Sequence, residues 1–260
     1  MQSRVIDAHA HCGIQDTYPP QSLEDYLDHV RGSEIAGAVL IPPVFEIYDR
    51  YDPFFEDNAQ WIQRRQRANS YLLGLDRRGF EVFPFFFIWN DFAVEQLSPE
   101  HKGIKWHRHA DEPVYHYHDP RCAAAIQEIR RRNLPVCLEE EWNNTLTFIR
   151  DLAQGIRIII PHCGLLNGGY EGFVREGIWA MPNIYTDTSL VPASIVSDYV
   201  KRYGYSRIMF GSDFPFGDPV SEMRKIQRMG FPEDVSRAVL GENVIRLVTE
   251  FQGERSSFTP

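Results

Sequence analysis

The chain has 260 residues, 43% of them hydrophobic and 24% charged, with a formal charge of −9 from 27 basic and 36 acidic side chains. That composition is globular, long enough to bury a large core without disulfides, and sized for one barrel or at most two small domains. An acidic chain repels a phosphate backbone, which argues against nucleic acid as a partner, and the longest apolar run, Val82 to Trp89, holds a proline and is too short to cross a bilayer.

Short apolar runs alternate with amphipathic stretches. In chain order the expected strands are Val5–His11, Ala38–Val44, Val82–Trp89, Gly103–His107, Pro135–Glu139, Arg157–His162, Asn183–Thr188 and Arg207–Asp213. Helical patterns fall at Ser22–Gly32, Phe55–Asn69, Pro120–Asn133, Thr145–Gln154, Tyr170–Ala180, Ala193–Tyr203 and Val220–Met229, with a last one from about Pro232 to Phe251 and a frayed tail beyond it. Alternation of this kind predicts a parallel sheet, and the number of units predicts a (β/α)8 TIM barrel spanning residues 1–260 as one domain. An open doubly wound sheet is the alternative, but the first strand ends in His-Cys-Gly with no GxGxxG phosphate loop.

The four cysteines, Cys12, Cys122, Cys137 and Cys163, form no CxxC pair, so a reduced, cytoplasmic chain is expected. Asp7 would interrupt any apolar leader segment, so no signal peptide is expected. The basic runs Arg64-Arg65-Gln66-Arg67 and Arg130-Arg131-Arg132 read as solvated helix faces. Cys163 follows His162 directly; strand alternation would turn it outward.

Polar residues recur where the expected strands end. In Val5-Ile6-Asp7-Ala8-His9-Ala10-His11 the period of two puts Asp7, His9 and His11 on one face. Neutral imidazoles are good donors to Zn²⁺, and two stacked at one strand end suit a metal. The sixth strand delivers His162 and the eighth delivers Asp213 in the same way. Barrel chemistry sits at the C-terminal rim, so the four side chains should converge there. Asp7, deeper on the same face, should orient His9 or His11.

The fragments VIDAHAH, PHCG, GSDFP and LGENVIRLV resemble those of the amidohydrolase superfamily, in particular its second amidohydrolase family. The resemblance runs in order over nearly the whole chain. It implies that His9, His11 and His162 are metal-site histidines and that Asp213 ligates the metal and shuttles the proton. The family includes hydrolases of lactones and amides and non-oxidative decarboxylases of aromatic or unsaturated acids.

One departure stands out. The family usually ends strand five with a histidine, whereas this chain reads Pro135-Val136-Cys137-Leu138-Glu139-Glu140-Glu141. Alternation puts Glu139 in the histidine slot, as a further metal ligand or a support for one; its harder oxygen donors would shift preference from zinc toward manganese or iron. Glu140 and Glu141 read as acidic rim. On strand four Lys105 and His107 should point inward as substrate contacts, with an ion pair to a neighbouring acid as the other reading of Lys105. His109, His116 and His118 read as loop histidines, and a second metal site among them stays open. Aromatic loops at Tyr48–Tyr51, Trp89-Asn90 and Trp142 suggest a partly apolar, ring-containing ligand.

The first functional reading is therefore a metal-dependent hydrolase of an ester, lactone or amide in a small molecule, with a divalent cation, zinc before manganese or iron, activating water and Asp213 and His162 catalytic. A metal-dependent decarboxylase is the second reading, and a non-catalytic metal-binding barrel the third. A homo-oligomer stays open.

Overall fold

The computed structural model describes residues 4–13, 21–76 and 79–253. Its strands are β1 (Val5–His11), β2 (Ile35–Ile41), β3 (Glu81–Phe87), β4 (Gly103–His107), β5 (Val136–Glu139), β6 (Ile158–Ile160), β7 (Ile184–Asp187) and β8 (Ile208–Met209). They form an 8-stranded sheet in sequence order, with every neighbouring pair parallel. The seam between the last strand and the first is closed by backbone bonds: Ala8 N to Phe210 O at 2.8 Å, His11 N to Phe214 O at 2.8 Å, and Asp213 N to His9 O at 2.7 Å. This is the TIM barrel the alternation predicts.

The outer helices are α1 (Leu23–Val30), α2 (Ala59–Leu73), α3 (Pro120–Arg131), α4 (Trp142–Thr147), α5 (Tyr170–Arg175), α6 (Ala193–Tyr203), α7 (Pro219–Gln227), α8 (Glu233–Arg237) and α9 (Asn243–Gly253). Their starts follow from capping residues. Ser22 and Asp25 form a reciprocal capping box on α1, and Asp119-Pro120 and Asp218-Pro219 each place a carboxylate cap before a proline in the first turn. The rest of the tail beyond Gly253 lies outside the described residues. No helix among the described residues is long and apolar enough to cross a membrane.

Several elements differ from the sequence expectation for identifiable reasons. β2 stops at Ile41 because Pro42 and Pro43 lack the N–H needed to extend the ladder. α2 begins at Ala59, later than expected, because the Asn58 side chain caps Gln60 N at 3.0 Å and Trp61 N at 3.1 Å. α4 begins early because Glu141 caps Asn144 N at 3.0 Å. Trp142 is therefore a helix residue packed over Gly168 and Gly172, not a ligand-facing loop aromatic. β6 and β8 are short because the chain turns into the left-handed region just beyond them, at His162 (φ 55), Cys163 (φ 47) and Asp213 (φ 57).

Charged side chains brace the core. Arg65 is buried and reaches Asp57 at 2.6 Å, Asp91 at 2.5 Å and the Ile47 carbonyl at 2.8 Å. The helix bearing it is thus not wholly a solvated face, and its guanidinium ties α2 to the loops after β2 and β3. His101, beneath the barrel before β4, is buried edge-on to Phe86 and accepts a hydrogen bond from Ser98 N at 3.0 Å.

Burial lowers the His101 pKa from 6.5 to about 4. A folded value below the unfolded one means the unfolded chain binds the proton first, so stability is held above pH 6.5 and lost as pH falls toward 4. Linkage gives a loss of about 2 kcal/mol from this group between pH 7 and 5. Denaturant unfolding of the wild type and His101→Asn at both pH values should show a shallower pH dependence in the variant. Parallel curves would remove His101 from the account.

Candidate active site

At the C-terminal end of β1, His9 and His11 point into the barrel mouth, where Asp213 meets both. Asp213 Oδ1 lies 3.5 Å from His9 Nε2 and 3.3 Å from His11 Nε2. The three donor atoms all fall within 4.8 Å of one another. The His162 ring stacks on that of His9, with centroids 5.1 Å apart, and its donor atom groups with His9 and Asp187. The four expected residues thus fall into two groups that share His9: His11 and Asp213 lie with it in one, and His162 and Asp187 in the other. Two of them, His162 and Asp213, arrive from left-handed residues rather than strand positions. Strained non-glycine conformations of this kind cost about 1–3 kcal/mol and cluster at functional sites.

Asp187, at the end of β7, organises the nest. One of its oxygens takes the His9 Nδ1 proton at 3.0 Å. The other accepts the Ser189 hydroxyl, and Ser189 Oγ in turn lies 2.8 Å from His162 Nδ1. Because the Ser189 hydrogen is committed to Asp187, its oxygen accepts from His162. Both imidazoles are therefore held with Nδ1 protonated and the Nε2 lone pair turned into the barrel, the arrangement that carboxylate supports impose on metal-binding histidines. Burial opposes the Asp187 charge, but His9 outweighs it and holds the carboxyl well below its ordinary range. Gly211 allows this packing, since a Cβ there would stand 3.1 Å from Asp187 Cβ and 3.2 Å from His9 Cβ.

Asp187 was not singled out in the sequence. Its signal is an acidic residue ending strand seven, the same position in its strand as His11 in β1. Asp7, expected to orient an imidazole, instead accepts from His9 N at 3.0 Å, Ser212 N at 2.9 Å, Ser212 Oγ at 2.5 Å and Tyr26 Oη at 2.9 Å. It ties β1 to the segment after β8. Burial raises its pKa to about 6, against the pull of those donors.

If the nest binds a cation, Asp187→Asn should weaken metal affinity about 10–100-fold, the usual scale for a group that orients a ligand. Isothermal titration of stripped protein would measure it. Unchanged affinity would leave the His9 and His162 tautomers unsupported by Asp187.

The strand-four and strand-five residues form an adjoining group. Lys105 is fully buried, with Nζ 2.9 Å from Glu139 Oε2, 3.8 Å from Cys137 Sγ and 3.4 Å from His9 Nε2. The ion pair read as one option for Lys105 is present. Burial works against its charge, but Cys137 and Glu139 outweigh it and keep the ammonium's pKa raised. Glu139 is likewise held ionised by Lys105 in spite of burial. Its Oε2 stands 3.9 Å from His162 Nε2, and its Oε1 faces His107 and His109. Glu139 is not among the donors grouped with His9 and His11.

Two neighbours read differently from the sequence. Glu140 is buried rather than part of an exposed rim; it pairs with Arg108 at 2.7 Å and accepts from Tyr117 Oη at 2.6 Å. Arg108 also binds the Ala110, Glu112 and Pro113 carbonyls, which fixes the loop bearing His109. Cys163 is not turned outward by strand alternation, because residues 161–164 form a tight turn, and its Sγ lies 3.4 Å from Asp187 O. His116 and His118 are exposed, as expected of loop histidines.

A cavity of about 250 Å³ opens onto this site, lined by His11, Asp213, Glu139, His107, His109 and Arg50 on its polar side and by Phe45, Leu166, Leu190 and Phe216 on its apolar side. Gln21 also lines it, buried, with Oε1 lacking a hydrogen-bond partner among the described residues. Tyr48 and Trp89 stack on each other at 4.0 Å below the surface, so they shape the wall rather than touch a ligand.

Residues 147–249 match the sequence profile of the family described as Amidohydrolase, the second of that name. No curated protein matches the sequence. Among solved structures, the barrel resembles a protein from Pseudomonas putida assigned as a 2-pyrone-4,6-dicarboxylic acid hydrolase (TM-score 0.67, 16% identity, 96% of this chain and 99% of that one). It resembles 5-carboxyvanillate decarboxylase from Sphingomonas paucimobilis (TM-score 0.70, 13% identity, 95% and 99%). It also resembles a dihydroxybenzoic acid decarboxylase from Polaromonas sp. JS666 with bound manganese and 2-nitroresorcinol (TM-score 0.68, 13% identity, 99% and 100%). At these identities the structural likenesses establish the fold. The profile match adds that residues 147–249, from the fifth strand's helix to the last helix, are similar to the second amidohydrolase family.

Proposed function

We propose that the chain is a metal-dependent hydrolase acting on an ester, lactone or amide bond of a small, ring-sized molecule, with His9, His11, His162 and Asp213 holding one divalent cation. The observation that carries this reading is the Asp213 carboxylate oxygen 3.3 Å from His11 Nε2 and 3.5 Å from His9 Nε2, with Asp213 and His11 on the cavity wall. Burial pushes the Asp213 pKa up, but the His11 hydrogen bond and the surrounding imidazoles outweigh it, leaving it lowered. The donor set fits a cation. Ligands at about 2.0–2.1 Å in tetrahedral or octahedral array stand about 2.9–3.4 Å apart, close to the 3.3 and 3.5 Å separations here. Zinc suits the imidazoles; manganese or iron suits the carboxylate.

Such an ion supplies Lewis acidity toward a carbonyl and lowers the pKa of water. Asp213 accepts the proton of the attacking water and returns it to the leaving group. His162, with Nδ1 committed to Ser189 and its Nε2 lone pair free, would serve as a ligand of that ion rather than as a donor to the carbonyl oxygen. His107 borders the reacting space, Lys105 stands behind Glu139 at its edge, and the Gln21 carbonyl, without a partner among the described residues, suits a substrate hydroxyl or N–H.

A decarboxylase is the second reading. The cavity is sized for one ring, and the similar barrels include enzymes named for decarboxylating ring acids. Stripped and metal-reloaded protein, assayed on lactones, amides and hydroxybenzoic acids, separates the two. Ester or amide cleavage supports the hydrolase. CO₂ release without hydrolysis supports the decarboxylase, and metal binding without turnover on any panel member supports a non-catalytic barrel.

A further inference from the structure

The sequence carries a second HxH at the end of a strand. His107-Arg108-His109 closes β4 as His9-Ala10-His11 closes β1. Arg108 turns away to Glu140, so the two imidazoles share a side, with ring centroids 4.8 Å apart. Both meet the same oxygen: Glu139 Oε1 lies 2.8 Å from His109 Nε2 and 3.4 Å from His107 Nε2. All three donor atoms fall within 4.8 Å of one another and line the cavity.

From this geometry we infer a second divalent-cation site, formed by His107, His109 and Glu139, separate from the His9, His11 and Asp213 group. Two imidazoles and a carboxylate suit Zn²⁺, Mn²⁺ or Fe²⁺, and the cavity side stays open for water or a substrate atom.

The surroundings prepare the donors. Tyr48 Oη gives its hydrogen to Glu112 at 2.6 Å, so its oxygen accepts from His107 Nδ1 at 3.3 Å. That leaves the His107 Nε2 lone pair facing a carboxylate oxygen at 3.4 Å. His109 Nε2 now donates to Glu139 while its Nδ1 faces Arg50 Nη2 at 3.2 Å; a cation on Nε2 would move the ring hydrogen to Nδ1, with Arg50 turning wholly to Glu112. Glu139 divides its oxygens, Oε2 to Lys105 and Oε1 to this cluster. Arg50 pairs with Glu112, and Lys105 with Glu139, so the four formal charges cancel and a cation does not enter a positive field.

The site stands on its own donors and does not depend on the function proposed above. Chelator-stripped protein would be titrated with Co²⁺ by calorimetry and visible absorption. The expected result is two equivalents for the wild type, one for His109→Ala and one for His11→Ala. His109 is on a part-exposed loop, so its loss should leave the fold intact. In His11→Ala protein, Zn²⁺ should move the ¹⁵N Nε2 resonances of His107 and His109. The inference is overturned if His109→Ala binds as many equivalents as the wild type, or if those resonances stay put. The first site fails separately, if His11→Ala binds as much as the wild type.

Discussion

Asp213→Asn should lower kcat by about 10²–10⁴-fold while the barrel stays folded, because amide replaces carboxylate at nearly the same volume and the proton acceptor is lost. Asp213 stands 3.3 Å from His11 and 3.5 Å from His9, in a left-handed turn fixed by its own N–H on the His9 carbonyl at 2.7 Å. That backbone bond survives the substitution, so the loss should be chemical rather than structural. An unchanged circular dichroism spectrum and melting curve, together with the fall in kcat, would support the assignment. Turnover near the wild-type rate would mean that another group moves the proton.

The second large effect is on stability. Lys105 and Glu139 are a buried ion pair at 2.9 Å with side chains 0% and 5% exposed. Removing one partner strands the other charge, at a cost of about 3–5 kcal/mol. Urea unfolding should show that loss for Glu139→Gln, which strands Lys105, and a smaller one for Lys105→Met, which leaves Glu139 its bond from His109. The double variant Lys105→Met/Glu139→Gln should recover most of it, because no lone charge remains. A single-variant loss under about 1 kcal/mol would mean the pair is not desolvated as its burial implies. Glu140→Gln should also destabilise the fold, since it removes the buried carboxylate that pairs with Arg108.

Much of this was legible in the chain because strand ends carry period-two information. His9 and His11 fall on one face of a long, regular β1, and Lys105 and Glu139 follow the same rule on β4 and β5. Where the backbone leaves the strand, that rule stops. His162, Cys163 and Asp213 sit in left-handed turns, so their directions came from tertiary bonds to Asp187 and the His9 carbonyl. The acidic run Glu139-Glu140-Glu141 divided three ways: a buried pair with Lys105, a buried pair with Arg108 and a helix cap. Partners as much as 34 residues apart decided those roles, and local pattern does not encode them. Asp187 was missed for the same reason, and the second metal site left open among His109, His116 and His118 did not join His107 or Glu139, although the repeated HxH was in plain view.

The central claim is that a divalent cation at His9, His11, His162 and Asp213 supports turnover. Anomalous diffraction from crystals of the Zn²⁺- or Mn²⁺-loaded protein tests it directly, at wavelengths on either side of the metal edge. The account predicts a peak about 2.0–2.2 Å from His9 Nε2, His11 Nε2 and an Asp213 oxygen. No peak there, in protein that keeps full turnover after chelation, would contradict it.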